Sequence, residues 1–330
     1  MNILGVETTA HTFGIGIITE KGKVLANCKD SYKSETGGMI PDEVANHHTQ
    51  VSTKLLEDAF KVSKLTWKDI AFISYSAGPG LDPALWTGYH IASQWATQNK
   101  KELVGINHCC AHLSIGKVFN KLKDPVYLYV SGVNTQIIIQ EEGKYHVLGE
   151  TLDIGLGNML DKLGRILGLG FPAGPAMENI AKKGKYIELP YVVKGMDVSF
   201  SGLLTRATQL YEQKKATTED LCFSIQETAF AMCAEVVERA IANTGKKELL
   251  LVGGVGANQR FCEMLTIMCQ ERGATFYKVP IDLAGDQGAM IAWEGAIRHK
   301  TTNPKLKNIQ KGCKTYGNIE VLPHWRADEV

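Results

Sequence analysis

A plan of three short strands occurs twice in this chain. Residues 2–28 read as an apolar run "NILGVE", a small polar turn "TTAHT", a second run "FGIGIIT", a hairpin "EKGK" and a third run "VLANC". Residues 126–149 repeat it with "VYLYV", "SGVNT", "QIIIQ", "EEGK" and "YHVLG". Short apolar runs bounded by Gly, Asn and Ser are strand signals. Recurrence of such a unit after roughly 120 residues marks an internal duplication. One lobe per copy is expected, residues 1–122 and 123–330, and a chain of 330 residues with 44% hydrophobic content is long enough for two cores.

Helical patterns follow each copy. In "PDEVANHHTQVSTKLLEDAFKVS" the residues Val44, His47, Val51, Leu55 and Phe60 recur at near-helical spacing, and "DLCFSIQETAFAMCAEVVERAIAN" is long and apolar enough for a core helix. "IAFISYSA", "ELVGIN" and "ELLLVGG" are compact apolar runs of the kind that form buried strands. Alternation of strands and helices in both halves predicts an α/β protein.

The formal net charge is +1, so no global field draws in nucleic acid or an acidic membrane, and a polyanion has to be met by local clusters. Lys182, Lys183 and Lys185 form one such cluster, and Lys300, Lys305, Lys307, Lys311 and Lys314 line a polar tail segment. The eight cysteines include no CxxC pair and fall mostly in apolar runs, which suits free thiols in a reducing compartment. No export signal or membrane span is read in the sequence, and a cytoplasmic location is expected.

Three turns leave strands with small or glycine-rich sequence: "ETTAHT" at 7–12, "SGVNT" at 131–135 and "GGVGANQ" at 253–259. Small residues let backbone N–H groups approach phosphate oxygens closely, so the three together suggest a nucleotide held between two lobes. Neither a GxxxxGK[ST] loop nor a complete dinucleotide fingerprint is present.

"GINHCCAHLS" places His108 and His112 four residues apart, after Asn107, a good N-cap. Positions i and i+4 share a helix face, and neutral imidazole is the form that binds a metal. A zinc protease is excluded, because Cys109, Cys110 and Ala111 supply no general base between the histidines. "LAGDQGAMIAWEGAIRH" offers Asp286 as a third ligand or as an ordinary helix cap, and spacing alone leaves both open.

Read together, "NHCCAH", "LYVSGVNTQ", "ETLDIGLGNMLD", "GLGFPAGP", "VKGMDVSFSGLLT", "LVGGVGANQR" and "GDQGAMIAW" resemble the universal tRNA threonylcarbamoyladenosine synthase family along nearly the whole chain. "VKGMDVSFSGLLT" is closer to its archaeal and eukaryotic KEOPS-complex branch than to the bacterial TsaD branch. Members were once described as O-sialoglycoprotein endopeptidases.

The resemblance implies an actin-like ATPase (ASKHA) fold, with two lobes that each carry a duplicated mixed-sheet core flanked by helices. The histidine pair would belong to the first lobe, and the nucleotide motifs with Asp286 to the second. His108, His112 and Asp286, with Tyr129 beside them or ligating, would bind one divalent metal, Fe²⁺ first and Zn²⁺ second. An adenylate or ATP would lie on Tyr129, Val130, Ser131, Gly132, Val133, Asp161, Gly174, Glu178 and Asn258.

The implied reaction moves threonylcarbamoyl from threonylcarbamoyl-AMP to the exocyclic amine of the adenosine next to the tRNA anticodon. Partners would be tRNA and KEOPS subunits, including a small protein kinase and a dimerising subunit. The alternatives are an ATPase or kinase of the same fold, or a non-catalytic KEOPS scaffold, because fold does not fix chemistry. Val133, Ala173 and Trp86 depart from the family pattern at positions where glycine, glycine and arginine are usual.

Overall fold

The computed structural model describes residues 1–33, 40–301 and 321–330. The chain divides into two compact units, Met1–Phe119 with Gly285–Val330, and Asn120–Ala284. Of the expected lysine tail, Lys305, Lys307, Lys311 and Lys314 lie outside the described residues.

In the first unit β1 (Asn2–Glu7), β2 (Thr12–Thr19) and β3 (Val24–Ser31) form the antiparallel set. Then come α1 (Pro41–Ser63), β4 (Ile70–Gly78), α2 (Asp82–Gln98), β5 (Glu102–Asn107) and α3 (His108–Phe119). The sheet order is β3-β2-β1-β4-β5, with β4 parallel to both β1 and β5.

The second unit repeats the plan. Here β6 (Val126–Val130), β7 (Thr135–Glu141) and β8 (Lys144–Glu150) are antiparallel. They are followed by α4 (Leu156–Ile166), α5 (Gly174–Ala181), a small hairpin of β9 (Val193–Lys194) and β10 (Asp197–Val198), α6 (Ser201–Glu212) and α7 (Thr218–Thr244). Next are β11 (Glu248–Val252), α8 (Gln259–Glu271), β12 (Thr275–Lys278) and the single turn α9 (Ile281–Ala284). The order β12-β11-β6-β7-β8 is the order of the first sheet with each strand replaced by its counterpart. The duplication is therefore structural as well as sequential.

The last helix, α10 (Gly288–Thr301), packs on β1 and β2, and Gly285–Val330 belongs with the first unit. This corrects the expected division, which gave all of 123–330, Asp286 included, to the second lobe. The reason is steric. Strand alternation sends Leu4, Val6, Phe13, Ile15 and Ile17 into the core shared with Leu55 and Ala59 of α1 and Ala92 of α2. Gly5, Gly14 and Gly16 are thus left on the opposite face, and a Cβ there would stand 2.2 Å from the Gly288 carbonyl oxygen, 2.8 Å from the Gly288 nitrogen and 2.0 Å from the Ala289 nitrogen. Only a glycine-faced sheet lets the α10 backbone come so near.

On α1 the buried histidine is His48, where the spacing pointed to His47. The His48 ring packs on Phe13, and its Nε2–H donates to the Ala10 carbonyl at 2.9 Å, holding the turn after β1. Burial outweighs this hydrogen bond and lowers the His48 pKa from 6.5 to about 4. The unfolded chain therefore takes up this proton at higher pH than the folded one. Stability from this residue is present above pH 6.5 and is lost as pH falls towards 4, by up to about 3 kcal/mol. Denaturant unfolding at pH 7 and pH 4.5 should show this fall in wild type and a smaller one in His48→Gln; equal slopes would remove His48 as the cause.

Candidate metal centre

β5 ends and α3 begins without a loop, so Asn107 closes the strand and caps the helix. Its Oδ1 accepts the Cys110 N–H at 3.0 Å, as N-cap geometry requires, and its Nδ2 donates to the Trp325 and Arg326 carbonyls at 3.1 and 3.2 Å. His108 and His112 then occupy one face of α3, both buried, with ring centroids 4.6 Å apart and planes at 86°.

Asp286 stands just before α10, and the question of its capping role has a clear answer. Gln287 is the cap, its Oε1 accepting the Met290 N–H at 3.0 Å. The Asp286 carboxylate turns instead to the histidines, with Oδ1 3.2 Å from His112 Nε2 and 3.5 Å from His108 Nε2. One ligand atom from each of the three lies within 4.8 Å of the other two.

These separations suit a shared ion. Two ligands about 2.1 Å from a metal stand about 3.0 Å apart at a right angle and about 3.4 Å apart at a tetrahedral one. Two imidazoles and one carboxylate are a donor set for Fe²⁺ or Zn²⁺. The charges of the three groups act on one another. Burial would lower the His108 pKa, but Glu7 and, less strongly, Asp286 hold it up at about 9. His112 is lowered by burial. For Asp286 burial acts upward, yet the hydrogen bond to His112 and the charge of His108 hold the carboxyl well below its ordinary range.

Two residues at this centre carried no signal as ligands or partners in the sequence. Glu7, fully buried at the end of β1, meets His108 Nδ1 at 3.0 Å, and Thr9 Oγ1 lies 3.2 Å from the same nitrogen. The clue was an acidic residue closing an apolar strand, since a buried carboxylate needs a partner. The "ETTAHT" turn, read as a phosphate loop, thus commits Glu7 and Thr9 to His108 of α3.

The residues expected around an adenylate all belong to the second unit. The Gly132 carbonyl accepts the Asn158 N–H at 2.9 Å, and the Ser131 carbonyl accepts the Gly157 N–H at 3.1 Å, so the "SGVNT" turn lies on the first turn of α4. A Cβ on Gly253, whose φ is +100°, would meet the Val130 carbonyl oxygen at 2.1 Å, which brings "GGVGANQ" against the same turn. Asp161 accepts the Ala173 N–H at 2.8 Å, next to Gly174, and burial raises its carboxyl pKa. Glu178 accepts the Gln259 N–H at 2.8 Å, while Asn258 caps α8 through Phe261 and donates to Gln226 Oε1 at 2.7 Å. Tyr129 is buried at the end of β6.

The departures from the family pattern also find places. Val133 is 71% exposed, so its bulk points away from the packed turn. Ala173 is buried with its methyl against Gly164, where a Cβ would approach it to 2.0 Å. Trp86 stacks on His90 at 5.7 Å and meets Tyr89 edge-on.

The family model described as tRNA N6-adenosine threonylcarbamoyltransferase (TsaD) matches residues 23–293. A relative of that name from Thermococcus kodakarensis is 54% identical over 296 residues, covering 89% of this chain and 90% of its own. A probable bifunctional tRNA threonylcarbamoyladenosine biosynthesis protein from Methanocaldococcus jannaschii is 44% identical over 331 residues, covering 100% of this chain and 60% of its own. Among solved structures, HypF from T. kodakarensis superposes with a TM-score of 0.64 at 16% identity, over 91% of this chain and 48% of that one. Component A of (R)-2-hydroxyglutaryl-CoA dehydratase from Acidaminococcus fermentans gives 0.54 at 14%, over 90% and 99%. At such identities the likeness concerns fold alone, and with the paired sheet orders it makes this an actin-like, ASKHA-type α/β protein.

If the three gathered side chains hold an ion, His108→Ala, His112→Ala and Asp286→Ala should each purify with far less bound iron or zinc. Loss of an outer partner costs about 10- to 100-fold in affinity, so loss of a ligand should cost more. Metal analysis beside circular dichroism checks this, and wild-type metal content in His112→Ala would remove the assignment.

Proposed function

The chain belongs to the tRNA N6-adenosine threonylcarbamoyltransferase family, and on that premise we propose that it transfers threonylcarbamoyl from threonylcarbamoyl-AMP to the exocyclic amine of the adenosine next to the tRNA anticodon. The observation that carries this reading is 54% identity to a transferase of that name over 89% of the chain. It is an acyl transfer to tRNA.

The chemistry asks little covalent work of the protein. The acyl donor is an activated mixed anhydride and the amine is a weak nucleophile, so rate comes from positioning and from stabilising charge on the carbonyl oxygen and leaving phosphate. A divalent cation supplies Lewis-acid stabilisation of that charge when bound. His108, His112 and Asp286 would hold it, Fe²⁺ being the first choice and Zn²⁺ the second. In the second unit, the small turn at Val130 to Val133 is the proposed bed for the adenylate, with Gly132 and Val133 as its backbone donors, since the Ser131 N–H is taken by the Asn134 carbonyl at 2.8 Å. Asp161 and Glu178 suit ribose hydroxyls better than phosphate, which two carboxylates would repel. Tyr129, Gly174 and Asn258 complete that proposed surface.

The relatives with bifunctional names are longer than this chain, which covers 60% of the M. jannaschii protein. We take the remainder as a second activity that separate subunits supply here, a small protein kinase and a dimerising subunit of a KEOPS-type assembly. Among the described residues no helix is long and apolar enough to cross a membrane, and the cytoplasm is the proposed compartment.

The direct test is incubation with tRNA, threonylcarbamoyl-AMP and the partner subunits, followed by nucleoside analysis. Modified adenosine should form with wild type and not with His112→Ala; its absence from the complete wild-type mixture would overturn the reading. A second measurement concerns tRNA itself. With a formal net charge of +1, the isolated chain should bind tRNA weakly and with steep salt dependence. Replacing exposed Lys182, Lys183 and Lys185 with Ala should reduce the log–log salt slope by at most about 0.7 to 0.9 per phosphate contact removed. An unchanged slope would place the tRNA surface elsewhere.

A further inference from the structure

The structure assigns to Glu7 the role of a positioning residue for the metal ligand His108: it fixes the ring tautomer that turns Nε2 towards Asp286. This rests on the reading of His108, His112 and Asp286 as a metal set. Glu7 is fully buried, so each carboxylate oxygen must be satisfied inside the protein. Oε1 accepts from the Thr9 N–H at 2.7 Å and from the Thr9 hydroxyl at 2.5 Å, and Oε2 faces His108 Nδ1 at 3.0 Å.

The hydrogen count then decides the tautomer. An ionised carboxylate can only accept. Thr9 Oγ1 has given its one hydrogen to Glu7, so towards His108 Nδ1, 3.2 Å away, it too can only accept. Two acceptors therefore face Nδ1, which must carry the hydrogen. In neutral His108 the lone pair sits on Nε2, 3.5 Å from Asp286 Oδ1. A carboxylate behind a histidine also raises the basicity of the coordinating nitrogen. With Asp286, Glu7 brings a second negative charge to the site, matching a divalent cation among neutral imidazoles.

Glu7→Gln isolates this role because it preserves size while reversing one hydrogen bond. The oxygen of the new amide has to face the two Thr9 donors, which leaves its NH₂ against His108 Nδ1. That nitrogen would then have to accept, moving the hydrogen to Nε2 and blocking ligation. Zn²⁺ alone, titrated into the chelator-treated full chain against a chromophoric competitor, should bind Glu7→Gln about 10- to 100-fold more weakly than wild type. Nitrogen-15 imidazole spectra recorded well above pH 9, where His108 is neutral, should show its Nδ1–H form in wild type and the Nε2–H form in the variant. A Kd within threefold of wild type together with a retained Nδ1–H form would overturn the inference. If Glu7→Gln does not fold, Thr9→Val, which removes one acceptor and one Glu7 anchor, should still weaken Zn²⁺ by about 10-fold, the low end of an outer-partner loss; an unchanged Kd would overturn it. His112→Ala separates the two claims, since unaltered Zn²⁺ binding there removes the metal set itself, whereas loss there with none in Glu7→Gln removes only the role of Glu7.

Discussion

Everything at the candidate metal centre depends on how closely one helix can lie on a sheet. Gly5, Gly14 and Gly16 strip the α10-facing side of β1 and β2 of side chains, and Gly288 does the same for the first residue of the helix. Backbone meets backbone there. A methyl on Gly16 would stand 2.0 Å from the Ala289 nitrogen, far inside any van der Waals contact, so the helix would have to lift away. Lifting it moves Asp286, which precedes α10 by only two positions and lies 3.2 Å from His112. The side-chain geometry is thus set by residues that have no side chains. The same strand alternation puts Glu7 on the face of Gly5, two residues on, and so on the α10 side of the sheet.

Duplication gave the chain two copies of one sheet, and the copies have been put to different uses. In the first unit the turn after the leading strand carries Glu7 and Thr9, whose hydrogen bonds run to an imidazole. In the second, the equivalent turn is "SGVNT", whose Ser131 and Gly132 carbonyls accept from the first N–H groups of α4 and which lies against Gly253. One turn buries a carboxylate side chain, and the other packs through its backbone carbonyls. A common scaffold therefore supports a candidate metal centre and a proposed nucleotide surface through the composition of one short turn.

Much of this was legible in the sequence, and the limits are physical. Apolar runs and their bounding turns located both three-strand sets, and the α1 span read from the sequence, 41–63, is the helix found. Helical periodicity, however, tolerates a shift of one residue, and that tolerance chose His47 where His48 is buried. Asp286 read equally as a ligand or a helix cap, and only family resemblance chose between them, because no pattern of spacing encodes a distance across more than 170 residues of chain. The division at 122/123 sent it to the wrong unit for the same reason: a strand repeat cannot report which sheet a terminal helix will cover. Glu7 closed a strand and read as its polar end, and only burial shows that it faces inward.

The centre is assembled from the ends of elements, and this solves a problem of competing demands. Carboxylates near helix starts are usually drawn into capping. Here Asn107 caps α3 and Gln287 caps α10, so Asp286 keeps both oxygens for other partners. Glu7 and Asp286 then face one buried imidazole from opposite sides, at Nδ1 and Nε2. Burial alone would discharge His108, but the two carboxylates reverse that and hold its pKa at about 9. The proton of His108 thus offsets one of the two carboxylate charges and leaves the other. With Nδ1 bonded to Glu7, Nε2 of His108 would join His112 and Asp286 in holding a divalent ion, whose two positive charges would match the two carboxylates.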